Sequence, residues 1–140
     1  QDGVMGPNVG PLEQAAAKAI AQYRGPLAVM SFNPHSVAAM AKHAPDVPRG
    51  LVTDGYTVSD WPLLNAATRD TLRDIPDFDR VGACFISHQA HDLDRDRVRS
   101  LKQKGVPIFC WTVRSQAQEQ DVRKIADNIT FEGYLAKISA

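Results

Sequence analysis

Two carboxylates, Asp54 and Glu132, each fall just after a short apolar run and beside a glycine, Gly55 and Gly133. A pair of that kind could do acid/base work or hold a hard cation, although Asp before Gly is also ordinary turn chemistry. His88, His91, Asp92 and Asp94 lie within seven residues of one another and carry the donor types of a zinc site. With no third clear ligand, the stretch reads more readily as a solvated helix entry in which Asp94 serves as the cap. His35 and His43 sit on a crossover helix and are expected at the surface. Arg114, ahead of a helix N-terminus, could meet an anion or be held in a surface ion pair. Phe32 and Trp111 end two strand-like runs, either as core aromatics or as the apolar wall of a pocket.

These residues need elements that bring them to one end of a fold. The stretch from Val106 to Arg114 is apolar, β-branched and aromatic, follows Gly105 and leads to Ser115, so it reads as a buried parallel strand between two helices. The same unit recurs along the chain. Strands are expected over 27–32, 50–53, 81–87 and 128–131. Helices are expected from Leu12 to Tyr23, after Asn33 and Pro34, along the stripe Trp61, Leu64, Thr68, Leu72 and Ile75, from an Asp94 cap to Gly105, and from a Ser115/Gln118 capping box through Val122, Ile125 and Ala126. Strands alternating with helices predict an α/β fold with a parallel sheet of right-handed crossovers. Ligands in that class sit at the carboxyl ends of the strands, where Phe32, Asp54, His88, Trp111, Arg114 and Glu132 fall.

Composition narrows the function classes. The chain has 140 residues, 44% of them hydrophobic, enough for one ordinary core. Its formal net charge is zero, which gives no electrostatic case for nucleic acid, and no apolar run is long enough to span a bilayer. Cys84 and Cys110 lie in strand-like runs without metal-ligand spacing and are expected as buried free thiols, which leans toward a reducing, cytoplasmic compartment. Residues 1–11, rich in Gly and Pro, form a loop ahead of a domain over 12–140.

The Ser31-Phe32 strand end, the run Met30 to Val37, the Trp111-Thr112-Val113 motif and the close from Asp127 to Tyr134 resemble the glycerophosphodiester phosphodiesterase family, in a bacterial branch. The resemblance runs from about Leu12 to Tyr134. It implies a (β/α)8 TIM barrel of which this chain supplies about strands four to eight, and hydrolysis of glycerophosphodiesters to glycerol 3-phosphate and an alcohol with Ca2+ or Mg2+. Phe32 and Trp111 then line the substrate pocket, while Asp54, His88, Arg114 and Glu132 are weaker strand-end candidates. The family's acid/base histidines and cation-binding carboxylates have no match in this sequence. The 140 residues alone are therefore expected to be inactive, to ligate no cation fully, and to associate through open sheet edges with an N-terminal half or a second copy. The last strand departs from the family ending at Phe131, Glu132 and Gly133, and a one-residue shift would turn Glu132 to the other face. The alternatives from other classes are an open five-stranded binding or receiver-like module, with Asp54 as phosphoacceptor, and an inactive barrel fragment.

Overall fold

A computed structural model describes residues 5–136. Five strands follow one another in chain order with helices between them. The chain divides into two compact units, Gln1–Val52 with Tyr56–Cys84, and Thr53–Gly55 with Phe85–Ala140.

In the first unit, α1 (Pro11–Ile20) leads to β1 (Val29–Ser31), α2 (Pro34–His43), β2 (Arg49–Thr53), α3 (Ala66–Arg73) and α4 (Asp77–Arg80). Strands β1 and β2 pair in parallel, Met30 opposite Gly50 and Ser31 opposite Leu51. Asn33 starts α2 because its side chain accepts the His35 N–H while Pro34 supplies a preset φ at the first position. Val37 and Met40, one turn apart, are the buried stripe of that helix. A second apolar cluster joins Met5, Tyr56 and Leu64, with Phe32, Trp61 and Leu72 packed against it.

In the second unit, β3 (Phe85–Gln89), a 3-10 turn (Ala90–Asp92), α5 (Asp96–Gln103), β4 (Ile108–Val113), α6 (Gln116–Val122) and β5 (Asn128–Phe131) succeed one another. Strands β3, β4 and β5 form a parallel ladder, Ile86 opposite Ile108 and Cys110 opposite Ile129. Ile86, Val98, Ile108, Cys110 and Val113 are sealed from solvent and make the core, each aliphatic side chain contributing about 1.5–3 kcal/mol. Gly105 ends α5 with φ +81, a conformation that costs other residues a Cβ clash. Asp127 ties the starts of two strands together: its carboxylate accepts the Ile108 N–H at 2.8 Å and pairs with Lys102 at 2.9 Å. The Ile108 hydrogen bond holds its pKa below the usual carboxylate value.

Several expectations need correction. Helix α1 is shorter than Leu12 to Tyr23, and both of those residues are exposed, because Glu13 takes the buried position. Trp61 and Leu64 precede α3 in turns instead of belonging to its stripe, and Ile75 follows it with φ +48. The third strand starts at Phe85, since Asp77–Arg80 closes a helical turn that ends at Val81. Asp94 does not cap α5, whose N-cap is Arg95; it pairs with Arg99 instead. Ser115 caps α6, but Gln118 accepts the N–H of Arg114 and not that of Ser115. Cys84 is exposed, while Cys110 is buried as expected. The expected loop over residues 1–11 lies partly outside the described residues, as does the end of the expected domain.

Candidate functional site

The first unit carries a cavity of about 600 Å3 at the carboxyl end of β1, within the size range of small-molecule sites. Ser31, Phe32 and Asn33 form its floor. Ser31 Oγ accepts the Asn33 N–H, and Asn33 Nδ2 donates to the Gly6 carbonyl at 2.8 Å. The early loop is thereby held at the strand end. Phe32 meets Trp61 edge-on, ring centroids 5.2 Å apart, and Trp61 in turn meets Tyr56 at 5.5 Å. Glu13 closes another side with only 4% of its surface exposed. Its carboxylate accepts Ser36 Oγ–H at 2.5 Å and the Gly10 N–H at 2.7 Å. Burial pushes the Glu13 carboxyl up, but the hydrogen bonds from Ser36 and the backbone outweigh it and the net shift is downward.

The second unit holds a buried polar chain. His88 has no exposed surface; its Nδ1 lies 2.8 Å from Thr53 Oγ1 and its Nε2 3.1 Å from Asp92 Oδ2, and Asp92 is in turn paired with Arg95 at 2.6 Å. The neutral ring with its proton on Nε2 satisfies all of this: Nε2–H donates to Asp92 and Nδ1 accepts from Thr53. Burial lowers the His88 pKa against the upward pull of Asp92. Asp92, raised by burial, is brought below its ordinary value by Arg95 and then by His88. Gly55 borders the same corner; a Cβ there would stand in ordinary contact, 3.4 Å from Asp92 Oδ2 and from Gln89 Oε1.

The strand-end candidates thus take different places. Phe32 lies in the first unit; Asp54, His88, Trp111, Arg114 and Glu132 lie in the second. Trp111 is half-buried and donates its indole N–H to the Ser87 carbonyl at 3.0 Å. Arg114 pairs with Glu132 at 2.6 Å with both side chains well exposed, so the link contributes at most about 1 kcal/mol. Asp54 is buried and not part of an open turn. His91 and His43 are exposed and His35 is half-buried. Among the described residues no group of three or more His, Cys, Asp or Glu side chains converges as a metal site, so His88, His91, Asp92 and Asp94 do not assemble one. Trp61 and Glu13 are additions to the sequence-derived set. Pro62 was the available signal for Trp61, since a residue before proline is turned away from helix. Glu13, three residues after Gly10, stands at the position of a capping-box acid.

The sequence profile of the glycerophosphoryl diester phosphodiesterase family matches residues 9–129. This chain belongs to that family. Among solved structures, a phosphodiesterase from Oleispira antarctica in complex with the product sn-glycerol-3-phosphate superposes with a TM-score of 0.62 at 14% identity, over 86% of this chain and 46% of that one. The likeness establishes the fold: parallel βα units corresponding to part of a TIM barrel. The phosphodiesterase-family chain spans about half the length of that structure. No curated protein matches it. No helix among the described residues is long and apolar enough to cross a membrane.

Proposed function

We propose that this chain supplies the substrate-pocket part of an enzyme that hydrolyses glycerophosphodiesters to glycerol 3-phosphate and an alcohol. The observation that carries the reading is the cavity at the end of β1, walled by Phe32 and Trp61, in a chain of the glycerophosphoryl diester phosphodiesterase family. Aromatic walls there exclude water around a polar reaction and orient the organic part of the substrate. Trp111, the other aromatic that the family resemblance assigns to the pocket, belongs to the second unit, where its indole N–H is held by the Ser87 carbonyl.

Hydrolysis also needs a general base, a general acid and a counter-charge for the phosphodiester. No histidine lines the cavity, and the fully buried one, His88, has both ring nitrogens engaged. The described residues likewise do not fit the divalent cation of the family by themselves. The acid/base pair is therefore assigned outside these 140 residues, which are expected to be inactive alone. The receiver-like alternative gains nothing, because Asp54 is too buried to meet a phosphodonor.

The test is release of glycerol 3-phosphate from glycerophosphocholine with Ca2+ or Mg2+ present, by the chain joined to the N-terminal barrel half of a family enzyme and by the Phe32→Ala variant of that assembly, with the 140 residues alone as the inactive control. Turnover with KM raised about tenfold in the variant is the expected result. Absence of release with either ion, or an unchanged KM, overturns the assignment.

A further inference from the structure

Arg73 stands in the last turn of α3 and is not among the residues that line the cavity at the end of β1. Its guanidinium nevertheless reaches the support of the cavity's aromatic wall. Nη1 pairs with Asp70, one turn back on the same helix, at 2.5 Å, and Nη2 donates to the Tyr56 carbonyl, seventeen residues away, at 3.0 Å. Such a fork places two bonds at once and fixes the direction of the carbonyl as a single ammonium would not. Tyr56 needs that hold. Its φ is +48, in the left-handed region that a bulky side chain enters only where its surroundings impose it, and only 1% of its surface is exposed.

Rings carry the consequence of that backbone turn to the cavity. Tyr56 forms a buried cluster with Met5 and Leu64, and Leu72, beside Arg73 on α3, packs against it. Trp61 meets Tyr56 at 5.5 Å with the planes tilted by 44°, and meets Phe32 at 5.2 Å and 62°. Trp61 and Phe32 line the cavity and Tyr56 does not, so Tyr56 is the backing of the wall. The Trp61 N–H donates to the Thr57 carbonyl at 3.0 Å, which makes residues 57–61 one short turn, so a change of direction at Tyr56 swings Trp61 with it. Rings packed this closely have few intermediate positions. We propose that Arg73 is a positioning residue: by holding the Tyr56 carbonyl it sets the turn at Tyr56 and hence the angle of Trp61 in the cavity wall. Its bearing on hydrolysis rests on the phosphodiesterase reading, and the positioning rests on the geometry of the first unit alone.

Protein grown with 5-fluorotryptophan carries one fluorine at each of Trp61 and Trp111, and Trp111→Phe assigns the two resonances. Arg73→Met should move the Trp61 resonance by more than its linewidth and leave that of Trp111 in place, whereas Asp70→Asn, which breaks only the ion pair, should move neither. Arg73→Lys keeps the charge beside Asp70 without the fork; it should move Trp61 in the same direction, and it decides the question if the Met variant does not fold. A Trp61 resonance unmoved in a folded Arg73 variant, or moved as far by Asp70→Asn, overturns the proposal. In the chain joined to an N-terminal barrel half, the Arg73 substitution should raise KM for glycerophosphocholine about fivefold with kcat kept within about twofold, a split that lost stability alone would not produce. A moved resonance with KM unchanged would remove Arg73 from substrate binding. Absence of release by every assembly, alongside a moved Trp61 resonance, would sink the phosphodiesterase reading and leave the positioning standing. Release with both the resonance and KM indifferent to Arg73 would do the reverse.

Discussion

His88 shows how one buried side chain sets a pH dependence. Its neutral form fits between Thr53 and Asp92, and burial keeps its pKa below the ordinary 6.5. Unfolded, the ring binds a proton more readily, so stability is full above about pH 6.5 and falls as the pH drops toward the folded pKa. Urea midpoints should therefore decline as the pH is lowered below about 6.5, and His88→Gln should flatten that slope while lowering stability at pH 7.5 by about 2–3 kcal/mol. A slope unchanged in the variant would remove His88 as its source. The two cysteines divide in the same way. Burial pushes the Cys110 thiol up to about 11, whereas Cys84 is exposed, its thiol donating to the Arg49 carbonyl. Iodoacetamide at about pH 8 should label Cys84 in the folded protein and reach Cys110 only on unfolding, which peptide mass mapping would show.

At the level of elements, Asn33 serves two partners from one amide: its oxygen caps α2 and its nitrogen holds the Gly6 carbonyl. Asn33→Ala should cost about 2–3 kcal/mol in thermal or urea unfolding, and Asn33→Asp, which keeps only the cap, roughly half of that. Equal losses would mean that the cap carries nothing, and an Asn33→Asp variant as stable as the unaltered protein that the Gly6 contact carries nothing. The cap was legible from Asn33-Pro34, because capping is a local rule; the Gly6 contact was not, because it joins residues far apart in sequence. The same divide separates the strands. β5 was placed to the residue by its β-branched run, but the registration of β4 against β5 slips between Cys110 and Val113, which adds a residue on the β4 side. Cys110 and Val113 are buried and Trp111 and Thr112 are both half-buried, so the simple alternation breaks at the motif that singled out this strand. The α3 region misled for a related reason: Trp61, Leu64 and Leu72 share an apolar surface through turns, and burial alone imitates a helical stripe.

For the molecule as a whole, alternation of strands and helices sufficed to name the α/β class, since only crossovers of that length join parallel strands. The order of its motifs carried the family. What order could not convey was which apolar residues stay outside: Leu12, Met30, Phe131 and Leu135 are all exposed, two of them on strands β1 and β5. Such strands invite pairing with another chain. The 140-residue chain expressed alone should show mass increasing with concentration in light scattering, reduced by Met30→Lys; a single monomeric mass across the range would refute this. Met5 and Gly6 bear on a practical decision. The helix at Pro11 looks like a natural place to begin a shortened protein, yet a version cut there would lack the side chain that completes the Met5, Tyr56 and Leu64 cluster and the carbonyl that Asn33 holds. The cavity at the end of β1 would stand open to water on the side of the excised loop, and a failure to bind a ligand would then report the trimming, not the ligand.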